Sequence, residues 1–473
     1  MSENTESIEG MSNKRQKLDE NNDVGPSGSP IPIDQNEESP RLFKLNIDCF
    51  NELLDYLSTK DLLVLSQTCK TMQQVVGVYA KENHSQAAKM DQNIAHKQFS
   101  NNGIECAETL GFNQFIRYID HYSDNTEPLH YIGSHNLELI SVDHLYVDTI
   151  DLNSNVDRLQ NMLHRLKVFQ IRRCIWEGDF YERILRYCVN LKRLNISDSE
   201  GLIKRSGNDW LLKSYPSLEH LGLLKWPIAF DVNELIGFFE LNPNVRSFMT
   251  SYELLSKNRI EFIESGIHLD VLEVKLMEKS RLRMNARVNE FFGLLSELYD
   301  RVFFNRLHLY VQYITKNSIA QIASLQGLEK LCFDCIWDGY DWPYLPLLKD
   351  LGNLSSSPLF DADVFAQRCV NLQRLYLSTS SFTDIRTFIR YSAKLKQIFV
   401  KDTKIFRGLI RKISALNKER EKLKEAQKVT IYVSDDLFVA SKWIATHGNM
   451  NLNLVEIRRS DSYRWDHYYD FCL

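Results

Sequence analysis

An apolar-x-x-apolar-x-apolar pattern recurs along most of the chain, from residue 142 to residue 457. Twelve copies are present, and most of them begin 23 to 27 residues after the previous copy. The last apolar positions of each copy alternate with polar ones, which predicts a short β-strand with every second side chain turned inward. The copies lie at 142–147, 166–171, 191–196, 218–223, 245–248, 269–274, 304–309, 328–333, 372–377, 395–400, 426–431 and 452–457.

The stretches between these strands have the spacing of amphipathic helices. At 180–187, 232–241 and 384–391, apolar residues recur every three or four positions, which favours short helices packed on the strands. Burying one Leu or Ile contributes about 1.5–3 kcal/mol, and one unit cannot bury its apolar side alone, so the repeat favours a solenoid. The alternative is an ordinary α/β domain with several Leu-rich strands. The near-constant phase of twelve units argues against it.

Half of the copies also carry a small polar residue three positions after the strand: Cys174, Ser199, Ser380, Thr403, Ser434 and Ser460. The pattern resembles the leucine-rich repeats of the cysteine-containing subclass, over about residues 138–460. The resemblance implies an α/β fold, a horseshoe-shaped solenoid of about twelve degenerate repeats. Two spacings are long, 35 residues after Leu269 and 44 after Leu328, and such extra residues are expected to form loops on one surface.

The outward side chains of strands in phase would line the concave face of such a solenoid. This face is rich in Arg and Tyr, which dominate interfaces, and the planar fork of Arg fits carboxylates and phosphates. We expect it to bind an acidic or phosphorylated segment of a protein substrate; the alternative is that these are ordinary solvated strand residues. The aromatic insert after Leu331 is expected either to contact partners or to pack on neighbouring repeats. The predicted substrate-binding residues are Arg172, Arg193, Arg306, His308, Tyr310, Arg374, Tyr376, Trp337 and Trp342.

Ahead of the repeats, residues 42–76 contain two apolar stripes with helical spacing, joined by a tight turn. Two short helices cannot form a stable core alone, so their apolar faces need a partner. That partner is either the rest of this chain or another protein. The stripes are Leu45, Ile47, Phe50, Leu53, Leu54 and Leu57, followed by Leu62, Leu65, Cys69, Met72 and Val76.

This segment resembles an F-box, in which a Leu-Pro-x-Glu start, a Tyr-Leu-Pro helix end, Asp-Leu-Leu, a Cys and a Trp follow in order. The matching positions are Leu45, Asp48, Leu53, Leu54, Tyr56, Leu57, Asp61, Leu62, Leu63 and Cys69. Asn46 and Ser58 replace the two prolines, and Met72 replaces the tryptophan. The resemblance implies that these helices dock onto a Skp-type adaptor, which bridges to a cullin scaffold. The implied adaptor-binding residues are Leu45, Ile47, Phe50, Leu53, Leu54, Leu57, Leu62, Leu65, Cys69 and Met72.

Composition and charge exclude several other functions. The net charge of −5 is spread widely, so no nucleic-acid partner is expected, and no apolar run approaches the 18 residues that predict a membrane span. Without a secretory signal, the expected compartment is reducing, cytoplasmic and/or nuclear, and the nine cysteines are expected to be free thiols. Residues 1–40 lack large apolar groups and are expected to be a disordered tail, with a basic cluster at 14–17 compatible with nuclear import.

No nucleotide-binding or hydrolase motif is present, so we predict no catalytic residue, no cofactor and no metal. Cys332 and Cys335 form a Cys-x-x-Cys pair, but no second pair completes a zinc site. The charged run 418–428 predicts a solvated helix with pairs of alternating sign.

The sequence therefore predicts four segments: a disordered tail at 1–40, an F-box at 41–80, a helical linker or N-terminal cap at 81–137, and a leucine-rich-repeat domain at 138–473. The predicted function is the non-catalytic substrate-recognition adaptor of an SCF-type ubiquitin ligase, which presents a protein for ubiquitination and degradation. The alternative is a leucine-rich-repeat scaffold that acts without a ligase. The two separate at Leu53, Leu57 and Leu62: if these residues are docked against the chain's own residues 81–137, no free face remains for an adaptor.

Overall fold

The computed structural model describes sixteen stretches of the chain. They are residues 45–83, 89–90, 118–122, 144–148, 160–172, 175–176, 180–197, 200–201, 209–224, 231–276, 281–336, 342–354, 362–379, 381–402, 409–447 and 452–459. The predicted tail and its basic cluster lie outside them. The chain divides into two compact units between Asn46 and Ile47. The exposed residues Leu45 and Asn46 belong to the first unit, and all the helices and strands named here belong to the second.

Three helices near the N-terminus are followed by strands that alternate with helices. The helices are α1 Ile47–Leu54, α2 Thr59–Ser66, α3 Lys70–Asn83, α4 Gln160–Leu163, α5 Phe180–Tyr187, α6 Val232–Leu241, α7 Tyr252–Lys257, α8 Arg259–Glu264, α9 Arg281–Asp300, α10 Lys316–Ser324, α11 Ala362–Arg368, α12 Phe382–Tyr391, α13 Leu409–Glu421 and α14 Asp435–His447. A 3-10 turn covers Asp209–Leu212.

Fifteen of the described strands form one sheet in which all the described pairs are parallel. They are β1 Lys89–Met90, β2 Tyr118–Tyr122, β3 His144–Asp148, β4 Val168–Arg172, β6 Arg193–Ser197, β8 His220–Leu224, β9 Ser247–Ser251, β10 Leu269–Leu276, β11 Phe304–Ile314, β12 Leu328–Ile336, β13 Asp350–Asn353, β14 Arg374–Thr379, β15 Gln397–Asp402, β16 Val429–Val433 and β17 Val455–Arg459. Two short strands, β5 Ile175–Trp176 and β7 Glu200–Gly201, pair with each other. Neighbours in the large sheet follow chain order, as stacking of successive units requires.

Every one of the twelve predicted strands is a strand of this sheet. The inward positions carry the core: Leu194, Leu221, Leu272, Leu307 and Leu375 are all fully buried. They belong to one apolar cluster that continues from Leu163 to Ile457, with residues of α5, α6, α9, α12 and α14 packed among them. An α/β fold with a long parallel sheet is therefore observed.

Three further strands of the large sheet were not predicted. β13 lies inside the 44-residue spacing, where Leu348 and Leu351 repeat the apolar phase and are buried. The expected insertion is thus an additional strand unit and not a surface loop. β1 and β2 lie within 81–137, a segment for which the sequence analysis expected helices.

The 35-residue spacing after Leu269 is also not a surface loop. It contains α9, whose Phe291, Leu295 and Leu298 are buried in the main core. The extra residues therefore add a helix to the layer that covers the strands.

Side-chain hydrogen bonds of one kind tie four of the described units to the unit before each of them. In each bond, the donor is the side chain of the residue just before the first apolar position of a unit. The acceptor is the backbone carbonyl of the residue two positions before the first apolar position of the previous unit. The bonds run from Asn190 to the carbonyl of His164 (2.9 Å), Ser217 to Val189 (3.0 Å), Asn244 to Pro216 (2.8 Å) and Asn371 to Pro346 (2.6 Å). The predicted small polar position three residues after each strand lies outside the described residues except at Ser434.

Candidate functional site

The N-terminal helices α1–α3 share a small apolar core. Leu54, Leu62, Val76 and Tyr79 are buried against one another, and Leu57 packs on them half-buried. These residues recur at helical spacing, so each helix turns one face inward.

The outer face of these helices carries apolar side chains that the core does not use. Leu53 on α1 is 39% exposed and Val64 on α2 is 58% exposed. Because large apolar groups at this level of exposure gain by burial against a partner, this face is a candidate docking surface.

The ten predicted adaptor-binding residues divide between this surface and the core. Leu45, Leu53 and Cys69 are exposed, and Leu57 and Leu65 are half-buried. The remainder do not present an outer face: Phe50, Leu54, Leu62 and Met72 are buried, while the side chain of Ile47 lies outside the description. Four of the ten are therefore buried within the helices, and the exposed Val64 was not among the predicted positions.

The departures from the F-box pattern have local explanations. Ser58 takes the place of a proline and caps α2, with its hydroxyl accepting from the Asp61 N–H at 3.2 Å and donating to the Asp61 carboxylate at 2.7 Å. A side-chain cap of this kind stabilises a helix start by about 0.5–2 kcal/mol. Met72 lies in the core and not on the outer face, so its smaller side chain changes packing and does not remove an exposed contact.

The second candidate surface is the face of the sheet opposite the apolar core. Two rows of side chains cross it from strand to strand in register. The polar row consists of Glu273, His308, Lys330, Asp350, Arg374 and Gln397. The aromatic row consists of Tyr310, Cys332, Gly352, Tyr376, Phe399 and Tyr432.

The polar row contains both acidic and basic groups. The Glu273 carboxylate lies 3.8 Å from Nδ1 of His308 and 3.9 Å from Nδ1 of His220, and Glu329 lies 3.8 Å from Nε2 of His308. Burial alone would lower the pKa of His308, but the two carboxylates outweigh it and raise the pKa. In return, His308 and Lys349 hold the pKa of Glu329 at about 2.

Two of the four arginines predicted on this face already have carboxylate partners. Arg374 binds Asp350 through two parallel hydrogen bonds, of which the one from Nε is 2.7 Å long. Arg306 lies 3.5 Å from Glu329. Arg193 is half-buried, and the side chain of Arg172 lies outside the description.

The aromatic row is packed and not solvated. The Tyr376 and Phe399 rings stack with centroids 5.0 Å apart, and Tyr432 joins their cluster. The Tyr310 hydroxyl donates to Asp334 at 2.6 Å. His308, Tyr310 and Tyr376 are therefore buried, which corrects the expectation that they line an open face. Of the described residues predicted to bind substrate, only Arg306 extends a mostly exposed side chain.

Trp342 was predicted to contact a partner but belongs to the core. It is 2% exposed and lies against Phe365, with ring centroids 4.0 Å apart, and against Phe333. Its neighbour Leu345 is buried with it. Of the two interpretations of the aromatic insert, packing is therefore correct at Trp342, while Trp337 lies outside the described residues.

Asp350 was missed because β13 was missed, and alternation along that strand would have identified it. Glu329 was missed because the chain is irregular beside His308: β11 and β12 shift register there, which brings Glu329 towards the polar row. The thiol of Cys332 is buried, and burial raises its pKa to about 11. In the described stretches we find no group of three or more residues able to hold a metal ion, and no helix suited to crossing a membrane.

Comparison with known proteins identifies one segment. The family model of the F-box domain matches residues 42–77, which include α1, α2 and the first half of α3. The chain therefore carries an F-box domain in the segment whose outer apolar face is described above. No curated protein matches the chain as a whole.

Proposed function

We propose that this protein is the substrate receptor of an SCF-type cullin–RING ubiquitin ligase. The observation that carries the proposal is the F-box match at 42–77 on helices whose outer face leaves Leu53 and Val64 exposed. F-box domains bind Skp-type adaptors, and the adaptor would link this chain to the cullin scaffold. The sheet and helices that follow would act as leucine-rich repeats in a horseshoe-shaped solenoid and hold the protein to be ubiquitinated, in the cytoplasm, the nucleus or both.

No chemistry on this chain is needed for that role. A tethered substrate lysine meets the charged ubiquitin enzyme at high effective concentration, and the rate gain comes from proximity. The chain must therefore supply two surfaces and hold them in a defined geometry. Ubiquitin transfer to the substrate, followed by degradation, is the expected result.

We further propose that the substrate contributes an acidic or phosphorylated segment. Arg306 is the predicted position best exposed for such a contact, and Arg374 lies three strands away, in the polar row. Because both already pair with Glu329 or Asp350, an incoming carboxylate or phosphate would compete with an internal partner. This competition would favour a doubly charged phosphate over a single carboxylate.

The test is adaptor binding by the purified full-length chain, with charge placed on the exposed F-box face. Leu53→Asp/Val64→Asp should weaken binding by about 100-fold or more, because each change buries a carboxylate in an apolar interface. Leu57 is a poorer choice, since it packs on the F-box core and its substitution would unfold the helices. The matched control is Leu241→Asp, a similarly exposed leucine on α6, which should bind as wild type.

Each outcome assigns a function. Wild-type binding that is lost in the double variant and kept in the control supports the receptor. Failure of folded wild type to bind would overturn it and favour a scaffold without a ligase. In a second arm, Arg306→Glu/Arg374→Glu should abolish substrate capture and keep adaptor binding; unchanged capture would refute the acidic-segment proposal alone.

A further inference from the structure

Arg459, the last residue of β17, makes contacts that the repeat pattern does not require. Its side chain is buried, and its guanidinium stacks on Phe438 of α14 at 4.4 Å from the ring centroid. Nε donates to Asp435 at 2.5 Å, which anchors the group to α14. The other nitrogens point away from the sheet, towards the F-box helices.

These nitrogens bind the turn between α1 and α2 and the end of α3. One donates to the backbone carbonyl of Leu57 at 2.5 Å and of Asp55 at 3.4 Å. Another donates to the hydroxyl of Tyr79. A single arginine thus joins the first helices of the described chain to its last strand, across 380 residues of sequence.

A second set of contacts surrounds the first. Tyr79 donates to the Asp55 carboxylate at 2.5 Å, and Lys442 of α14 lies 2.7 Å from the same carboxylate. Burial and the hydrogen bond to Asp55 raise the pKa of Tyr79, so the phenol keeps its proton. Tyr79 can therefore donate to Asp55 while accepting from Arg459, which aligns the three groups.

Arginine suits this position because the sites it fills are separate acceptors in fixed directions. Its guanidinium offers five donors in a rigid plane, whereas the ammonium of lysine is a single compact centre. The carbonyls of Asp55 and Leu57 lie just after α1, where helix geometry leaves acceptors without internal partners. Losing Arg459 would leave these carbonyls and Asp435 poorly satisfied.

The cleft beside these contacts, about 650 Å³ in volume, does not resemble an anion site. Lys428 and Arg458 both pair with Glu456, at 3.0 and 2.9 Å, and Lys442 pairs with Asp55. Because its cations are matched by carboxylates, the region suits a fixed junction within the chain better than capture of a charged ligand.

We infer that the last described helix and strand, α14 and β17, form the platform on which the F-box is seated, with Arg459 as the positioning residue. On this inference, β17 and α14 set the orientation of a bound adaptor relative to the sheet, because they hold the F-box to which the adaptor binds. The inference rests on the proposed function only for what the F-box binds; the seat itself is a property of this chain.

The test is the distance between spin labels placed on the full-length chain through unnatural amino acids at two exposed positions, Thr71 on α3 and Lys418 on α13. Wild type should give one narrow distribution. Arg459→Met should widen it about threefold or more and speed amide exchange of α3 about tenfold or more, because α3 loses its anchor. Adaptor affinity should change less than about threefold, since the outer face is untouched.

The matched control is Arg458→Met, the neighbour on β17, whose exposed side chain pairs with Glu456 at 2.9 Å. It should leave the distance distribution unchanged. If Arg459→Met fails to fold, Tyr79→Phe removes the shared hydroxyl, keeps the ring and should widen the distribution less strongly.

The possible results are separable from those of the ligase proposal. A distribution that stays narrow in Arg459→Met, or in Tyr79→Phe where the first variant does not fold, would overturn the platform whatever the adaptor does. Widening in a wild-type background that binds no adaptor would keep the platform and reject the receptor.

Discussion

At the scale of single residues, Arg420 is the clearest case of a charged side chain used as internal structure. It lies in α13, within the charged run 418–428 that was predicted to be solvated, yet it is fully buried. Its guanidinium donates to five backbone carbonyls: Ile389 (3.3 Å), Ser392 (2.6 Å), Ala393 (2.6 Å), Leu395 (2.9 Å) and Gln427 (3.0 Å). Burial lowers its pKa to about 10, so it remains charged at neutral pH.

We expect Arg420→Met to destabilise the protein by roughly 3 kcal/mol, because several buried carbonyls lose their donor at once. The measurement is urea unfolding followed by circular dichroism. Lys418→Met, an exposed change on the same helix, should stay within about 0.5 kcal/mol of wild type. An equally small effect at Arg420 would show that water replaces the guanidinium.

His308 gives the polar row a dependence on pH. Histidine in an unfolded chain has a pKa of about 6.5, and Glu273 and Glu329 raise the pKa of His308 in the fold. Stability linked to this proton is therefore fully present below about pH 6.5 and is lost as the pH rises through the raised folded value.

The corresponding variant is His308→Gln, compared with wild type by urea unfolding at about pH 6 and about pH 9. The stability gap should be larger at the lower pH, where the charged imidazole lies between two carboxylates. The exposed His268 provides the control, as His268→Gln. A gap for His308→Gln that is constant or widens with pH would mean that the carboxylates do not hold its proton.

At the scale of elements, two glycines show opposite requirements. Gly327 ends the turn before β12 with φ +72°, and an added Cβ would lie 2.8 Å from the carbonyl oxygen of Asn305. Gly237 lies within α6, where an added Cβ would meet nothing within 4 Å. The turn needs the left-handed conformation and the close approach, whereas the helix gains nothing from glycine.

Alanine at the two positions should therefore have effects of opposite sign. Gly327→Ala should cost roughly 2 kcal/mol through backbone strain and contact, and Gly237→Ala should stabilise by about 0.5–1 kcal/mol through helix propensity. Thermal unfolding of both variants against wild type measures this. Destabilisation of similar size at both sites would mean that backbone conformation is not the cause.

The element scale also shows where periodicity works and where it stops. Twelve strands were predicted because their apolar residues recur at a constant spacing. The spacing is constant because the same positions of each strand are buried in the core. β13 was missed because its pattern, Leu348 and Leu351 followed by Gly352 and Asn353, lacks the third apolar residue. Glycine is required at position 352 because an added Cβ would come within 2.6 Å of the Cys332 sulfur on β12.

At the scale of the whole molecule, two apolar cores are joined by polar contacts. The main core runs from Leu163 to Ile457, and the F-box has its own cluster of Leu54, Leu62, Val76 and Tyr79. So small a cluster is marginal alone, and the contacts of Arg459 and Lys442 make its order depend on the last repeat unit. A receptor needs such coupling, because a loosely held F-box would present substrate over many orientations and lose the benefit of proximity.

Local features of this protein could be predicted from the amino-acid sequence: twelve of the strand positions, the apolar sides of the helices and the F-box segment. These features depend on periodicity and residue type, because the apolar positions of a strand or helix are buried on one side and recur within a few residues. The tertiary structure alone decided that Arg374 is held by Asp350, that Trp342 is core, that Arg420 is buried and that Arg459 meets Tyr79. Each depends on groups brought together from distant points of the chain, where distance and exclusion of water set the interaction, and no local pattern carries that information.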